Sequence, residues 1–287
     1  MATRLQTVKL CSTVGAMHSA CQAVRRAGKR LGFVPTMGAL HEGHLSLVRA
    51  AKTQCDAVAV SIFVNPTQFG PSEDLSRYPR PFERDCELLE REGVELLFAP
   101  SVEEMYPAGA TTYVTVEGLS EKLCGRSRPG HFRGVTTVVA KLFHIIEPDA
   151  AFFGQKDAAQ ATIIHRMVRD LNLPVEIVVC PIVREPDGLA MSSRNAYLDA
   201  QQRQSALVLS RSLREVQKLF DRGERKASRL IETGKQVFAE EPAVRLDYFE
   251  IVDPDTLDPV GDVRSPALVA VAAFVGNTRL IDNVVLG

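Results

Sequence analysis

The chain has 287 residues, 45% hydrophobic and 24% charged, with 34 Lys and Arg against 35 Asp and Glu for a formal net charge of −1. That length suits one large domain or two of ordinary size, and the composition is that of a soluble globular protein. The near-zero charge provides no general field for nucleic acid or an anionic membrane, and even the apolar run ALVAVAAFVG at 267–276 is too short to span a bilayer.

The chain opens with basic residues and no acidic one before Glu42, a bias that transit peptides share. Val14, Met17, Cys21 and Val24 nevertheless fall at helical spacing and lead directly into a strand. The segment therefore reads as a first helix with about ten loose residues ahead of it, in a cytoplasmic protein. Six scattered cysteines without a CxxC pair read as small core residues in a reducing compartment.

Strand-like runs follow at 31–35, 57–64, 94–100, 150–154 and 175–183, with helical stretches between them at 44–54, 81–92, 135–146 and 157–171. The runs are near-continuously apolar, as in parallel strands covered on both faces. This alternation predicts an α/β fold with an open, doubly wound parallel sheet, Rossmann-like, with its ligand beyond the C-terminal strand ends. After residue 184 the character changes. Helices at about 199–222 and 226–240 precede three strand candidates separated by Pro, Asp and Gly turns, which predicts a smaller α+β domain. A boundary near 184–188 gives domains of 1–185 and 186–287.

The chemistry gathers at the strand ends. After 31–35 comes Thr36-Met37-Gly38, then His41-Glu42-Gly43-His44 at a helix start, where two imidazoles share one face beside unpaired N–H groups. That corner suits a phosphate. A metal pair or a plain polar first turn are the other readings, although zinc-protease histidines stand four apart rather than three. Asn65 and Gln68 follow the second strand, Gly154-Gln155-Lys156-Asp157 and Gln160 the fourth, and Arg184 and Met191-Ser192-Ser193-Arg194-Asn195 the fifth. Lys156 and Arg194 as cations, Ser192 and Ser193 as donors and the histidines at the reacting phosphorus are a set that neutralises a triphosphate. Singly, Lys156 reads as a surface lysine, the serines as a cap or turn, and Gln68 as a loop amide. Neither GxxxxGK[ST] nor GxGxxG occurs, against kinase-type and dinucleotide readings.

The motifs PTMGALHEGH, FVNPTQFG, RPGHFRGV, FFGQKDAAQ and DGLAMSSRN, in this order, resemble the pantothenate synthetase (pantoate–β-alanine ligase) family, within the wider HIGH-type nucleotidyltransferases. The resemblance runs from about residue 10 to the C-terminus. It implies ATP-dependent condensation of pantoate with β-alanine through an enzyme-bound pantoyl adenylate, releasing AMP and pyrophosphate. It implies that Met37, Gly38, His41, Gly43 and His44 hold ATP, with His44 in the position given the proton-donor role. Gly154, Gln155, Lys156 and Asp157 would meet ribose and phosphates, Val183 the adenine, and Met191, Ser192, Ser193 and Arg194 the triphosphate as a mobile loop. Catalysis would fall to His41, His44, Lys156 and Arg194. Gln68 and Gln160, with Pro35 and Asn65, would bind pantoate and β-alanine. Mg2+ would arrive with ATP, with no protein metal site. A homodimer, no nucleic-acid or membrane partner, and a smaller domain that closes over ATP are also implied. Two departures stand out: Gln155 and Cys124 occupy positions where the family is expected to have glutamate.

Whether His44 moves a proton or only stabilises charge stays open at this level. Helix N–H groups favour a neutral ring, while Glu42 and bound phosphate favour a charged one. Two alternatives to the ligase also stay open. Another HIGH-type nucleotidyltransferase would act on a small acid or a phosphorylated acceptor and need a second cationic site. A non-catalytic RNA-binding module would need a basic surface.

Overall fold

The computed structural model describes residues 8–71, 73–264 and 266–287. Two compact units emerge: the residues through Ser120 with Arg128–Gly154 and Ile163–Cys180, and Glu121–Ser127 with Gln155–Thr162 and Pro181–Gly287.

The first unit is built on six parallel strands, β1 (Lys9–Cys11), β2 (Leu31–Thr36), β3 (Ala57–Ile62), β4 (Leu96–Phe98), β5 (Ala150–Gly154) and β6 (Glu176–Cys180), in the order β1-β4-β3-β2-β5-β6. Its helices are α1 (Val14–Arg26), α2 (Glu42–Gln54), α3 (Phe82–Arg91), α4 (Val102–Met105) and α6 (His131–Ile146), while α5 (Cys124–Ser127) belongs to the second unit. The helix α7 (Ala158–Asp170) begins among the second unit's residues and ends among the first's.

The strands are apolar throughout because both faces are covered. Leu31, Phe33, Ala59, Phe98 and Phe153 face one core with α1 and α6, whereas Val34, Val58, Val60, Leu97 and Phe152 face another with α2 and α3. Burying each such large side chain fully contributes about 1.5–3 kcal/mol. Pro35 sits in β2 without cost, because the β5 ladder reaches only Phe33.

The second unit carries an antiparallel sheet of β7 (Val244–Val252), β8 (Ala267–Val275) and β9 (Thr278–Leu286), in that order. Its helices α8 (Ala200–Ala206), α9 (Val208–Asp221) and α10 (Ala227–Ala239) close one core with it, around Leu209, Leu213, Leu230, Phe249, Val269 and Val271.

Most predicted elements are present, with three corrections. The expected ten loose residues end early, because residues 9–11 form the edge strand β1; it is three residues long with only Cys11 buried, too short for a periodic signal. Residues 1–7, including Arg4, lie outside the described residues. The expected strand 175–183 stops at Cys180, before Pro181. The predicted helix 199–222 is two helices meeting at Leu207, whose N–H bonds back three residues to Gln204 rather than four. All six cysteines are free, and burial pushes the Cys21 thiol up to about 12, as befits an inert core residue.

One close approach positions a later site element. A Cβ on Gly134 of α6 would lie 2.4 Å from Thr67 O and 2.6 Å from Gln68 N, so only glycine lets α6 support the turn at Asn65–Gln68.

Candidate active site

At the end of β2, Thr36 accepts the N–H of Gly38 at 3.1 Å and donates to Ser61 O at 2.7 Å. The chain then turns through the left-handed region at Gly38 (φ 80°) and Ala39 (φ 51°). A non-glycine residue there is strained by about 1–3 kcal/mol. The buried Asp85 of α3 offsets this by accepting the N–H groups of Ala39 (2.7 Å) and Leu40 (2.8 Å). Burial raises the Asp85 carboxyl above its ordinary value, and those two N–H groups with Arg84 only partly counter it.

This turn delivers His41 to the N-cap of α2 in extended conformation (φ −139°, ψ 175°). His41 Nδ1 accepts the N–H of Gly43 at 3.1 Å, and His44 Nδ1 accepts the N–H of His41 at 3.3 Å, a reciprocal capping box made of two imidazoles. A neutral imidazole has one donor nitrogen and one acceptor. With both Nδ1 atoms spent as acceptors, each neutral ring carries its proton on Nε2. The rings lie 4.1 Å apart between centroids at 37°. Glu42 is paired with Arg49, whose guanidinium is shared with Glu92.

In the same unit, the turn after β3 presents Gln68. Asn65 is 1% exposed, and its amide is saturated. Its two N–H donors go to Gln68 Oε1 (3.0 Å) and Gly134 O (3.1 Å), while its oxygen accepts from Thr67 and Tyr106. Gln68 Nε2 meets Met37 Sδ at 3.1 Å, which brings the two motifs PTMG and NPTQ together. The Gln68 carbonyl in turn meets His131 Nδ1 at 2.9 Å and Arg128, whose guanidinium clamps Glu73 at 2.8 and 2.5 Å. Burial by itself would raise Glu73, but the Arg128 hydrogen bonds and charge, with His131 and a Gly70 backbone bond, hold it below 4.5.

In the second unit, Lys156 sits in a single 3-10 turn, Gln155–Asp157, held by Asn283. Lys156 and Ser192 line one small pocket with Asn195 and Asp282. Met191 N–H bonds Val183 O at 3.0 Å, and Ser192 Oγ caps the short 3-10 helix Ser193–Tyr197 that carries Arg194. Asn195, 8% exposed, ties this loop back by donating to Glu185 (2.7 Å) and Ala190 O (3.1 Å). Gln160 is half-buried near the start of α7, Asp157 is exposed, and Gly154 ends β5 in the first unit.

Sequence reasoning gave no role to Asp85, Arg128, His131 or Asn283. Asp85 had a signal, since it shares the apolar face of α3 with Phe82 and Leu89 at helical spacing, where a charge is out of place. Arg128 and His131 lie in RPGHFRGV, where nothing local says that they hold Gln68's carbonyl.

A doubly covered parallel sheet with polar side chains at its strand ends is the architecture of a nucleotide-binding α/β enzyme. The chain belongs to the pantoate–β-alanine ligase family, whose profile matches residues 9–285. It is 62% identical over 279 residues to a pantothenate synthetase of Koribacter versatilis, covering 97% of this chain and 96% of the relative. With that of Acidobacterium capsulatum it shares 67% identity over 259 residues, covering 90% and 87%. The crystal structure of pantothenate synthetase from Thermus thermophilus matches with a TM-score of 0.92 at 47% identity, covering 96% of this chain and 99% of that one. A pantoate–β-alanine ligase from Francisella tularensis, complexed with β-γ ATP and β-alanine, matches with a TM-score of 0.81 at 33% identity, covering 96% and 97%.

Replacing Glu73 by Gln removes the charge that Arg128 grips and costs about 1–3 kcal/mol at neutral pH. Because the folded carboxyl is held below its ordinary value, this contribution is fully present above the ordinary glutamate range and is lost as pH falls through the folded value. Denaturant titrations of wild type and Glu73→Gln should therefore show a stability gap that closes in acid. A gap independent of pH contradicts the pairing.

Proposed function

We propose that this chain carries out its family's reaction, joining pantoate to β-alanine at the expense of ATP, with the strand-end residues in defined roles. The protein is an acid–amine ligase of the AMP-forming kind. The observation that carries the assignment of roles is the imidazole capping box, which spends both Nδ1 atoms at a helix N-terminus and so leaves the proton of each neutral ring on Nε2.

In the first step a carboxylate oxygen of pantoate bonds to the α-phosphorus of ATP. The bond to the bridging oxygen breaks and pyrophosphate leaves. Charge builds on the equatorial oxygens and on the leaving group, and preorganised donors are what the step needs. His41 and His44 supply Nε2–H donors, Lys156 and Arg194 supply cationic charge, and Ser192 and Ser193 supply hydroxyl donors. Met37, Gly38 and Gly43 shape the corner, and Gly154 and Asp157 meet ribose and phosphates, with the Gln155 side chain between them bonded to Asn283. Val183 lies against the base, and Met191 belongs with Ser192 and Ser193 to the loop over the triphosphate. Gln68 and Gln160 bind pantoate's hydroxyls and carboxylate, with Pro35 shaping that wall. Asn65, having no spare donor, acts by fixing Gln68 rather than by touching substrate. In the second step the β-alanine amine adds to the acyl carbon, AMP leaves, and the amine gives its proton to solvent.

Mg2+ enters as part of the ATP substrate, on phosphate oxygens. Among the described residues no group of three or more His, Cys, Asp or Glu gathers to hold a metal. The domains 1–185 and 186–287 and a cytoplasmic location are further parts of this proposal. Among the described residues no helix is long and apolar enough to cross a membrane. A homodimer is proposed through the first unit, supported by the β6 edge, which ends the sheet with Val179 44% exposed. Sedimentation at the mass of two chains supports it, and sedimentation at the mass of one refutes it.

Pyrophosphate exchange into ATP tests the chemistry. Exchange should require pantoate and proceed without β-alanine, and His44→Ala and Lys156→Ala should each slow it by about 100-fold or more while leaving the fold intact. A requirement for β-alanine, exchange with a phosphorylated acceptor instead of pantoate, or near-wild-type rates in both variants contradicts the assignment.

A further inference from the structure

Lys156 has no regular element of its own to fix it. It sits in one 3-10 turn of three residues, Gln155–Asp157, ahead of α7. A lysine on so short a turn presents its ammonium only as accurately as the turn's main chain is held.

The main chain is held from 127 residues away in sequence. Asn283, on β9 and 3% exposed, donates from Nδ2 to Gln155 O at 2.9 Å and to Lys156 O at 3.0 Å. Both hydrogens of one amide are thus spent on two consecutive carbonyls. The Asn283 oxygen accepts from Gln155 Nε2 at 3.1 Å. That third bond reinforces the orientation that the two carbonyls impose on the Asn283 amide. A carboxylate at position 155 in the same pose would set two acceptors against each other and oppose that orientation. The Asn283 backbone N–H is itself anchored on Asp282 Oδ1 at 2.8 Å, and Asp282 binds Arg184 through both oxygens at 2.7 and 3.0 Å. The base of the clamp is therefore rigid.

We propose that Asn283, oriented by the neutral amide of Gln155, is the positioning residue for Lys156: it fixes the main chain from which the ammonium is presented to the triphosphate. This rests on the role given to Lys156 above. It also gives Gln155 a physical function, since the glutamine side chain here works on the protein.

The test is a double-mutant cycle in the full-length enzyme, read by pantoate-dependent pyrophosphate exchange without β-alanine. Asn283→Ala should slow exchange by about 10- to 100-fold, with the KM for pantoate changed by less than about twofold. In a Lys156→Ala background the same change should cost less than about twofold more, because the residue acts only through Lys156. Gln155→Ala, at a half-buried position the fold tolerates, should give a smaller loss of about 3- to 10-fold that likewise vanishes without Lys156. It carries the test if Asn283→Ala does not fold. Losses that multiply with that of Lys156→Ala, or an unaffected exchange rate in both Asn283→Ala and Gln155→Ala, overturn the inference. A Lys156→Ala enzyme that exchanges normally overturns the underlying site reading instead, so the two failures are distinguishable.

Discussion

At the start of α2 two histidine side chains take up backbone N–H groups: His41 Nδ1 accepts from Gly43 and His44 Nδ1 accepts from His41. Most of the first unit's local architecture follows from that arrangement. His41 must arrive in extended conformation, which requires the left-handed turn at Gly38 and Ala39 and the buried Asp85 that holds it. Thr36 fixes the end of β2, and a Cβ on Gly38, at a φ of 80°, would press on Asp85 and Ile62 at 3.0 Å each. What the turn produces is a pair of imidazoles whose orientation is decided before any ligand arrives. Such preorganisation makes donors valuable in a transition state, because little has to reorient when charge develops.

The capping geometry also favours one of the two roles weighed for His44 in the proposed reaction. A ring whose Nδ1 accepts a backbone N–H cannot protonate there without placing two N–H groups head to head. A ring that carries its only proton on Nε2 would have to become an anion to give it away. Attack by a carboxylate on phosphorus needs no proton from the enzyme, so the loss of an acid is no loss to the reaction. In the proposed mechanism His44 therefore serves as a fixed donor rather than as a proton source.

The strands were legible because parallel strands covered on both faces are apolar without interruption, and Phe33, Val60 and Phe152 keep that pattern. HEGH was legible as a helix start, yet its spacing alone did not show which nitrogen faces the helix and which faces outward. Asn65 and Gln68 were picked together, but only the fold shows Asn65 saturated by Gly134, Thr67 and Tyr106. Asp85, Arg128 and Asn283 escaped for one reason: each acts on a main-chain group distant in sequence, and a backbone carbonyl or N–H leaves no trace in the residue string. Gln155 was noticed as a departure from the family, and its meaning became readable only beside Asn283. The edge strand β1 was too short to register.

The central claim is that both histidines spend Nδ1 on the helix cap and carry the ring proton on Nε2. Long-range proton–nitrogen correlation spectra of histidine-labelled enzyme report the tautomer of each ring directly. At neutral pH, His41 and His44 should both show a protonated Nε2 and an unprotonated Nδ1, and each signature should be lost with substitution of that residue. A protonated Nδ1 on either ring would contradict the cap and the role as fixed donors derived from it.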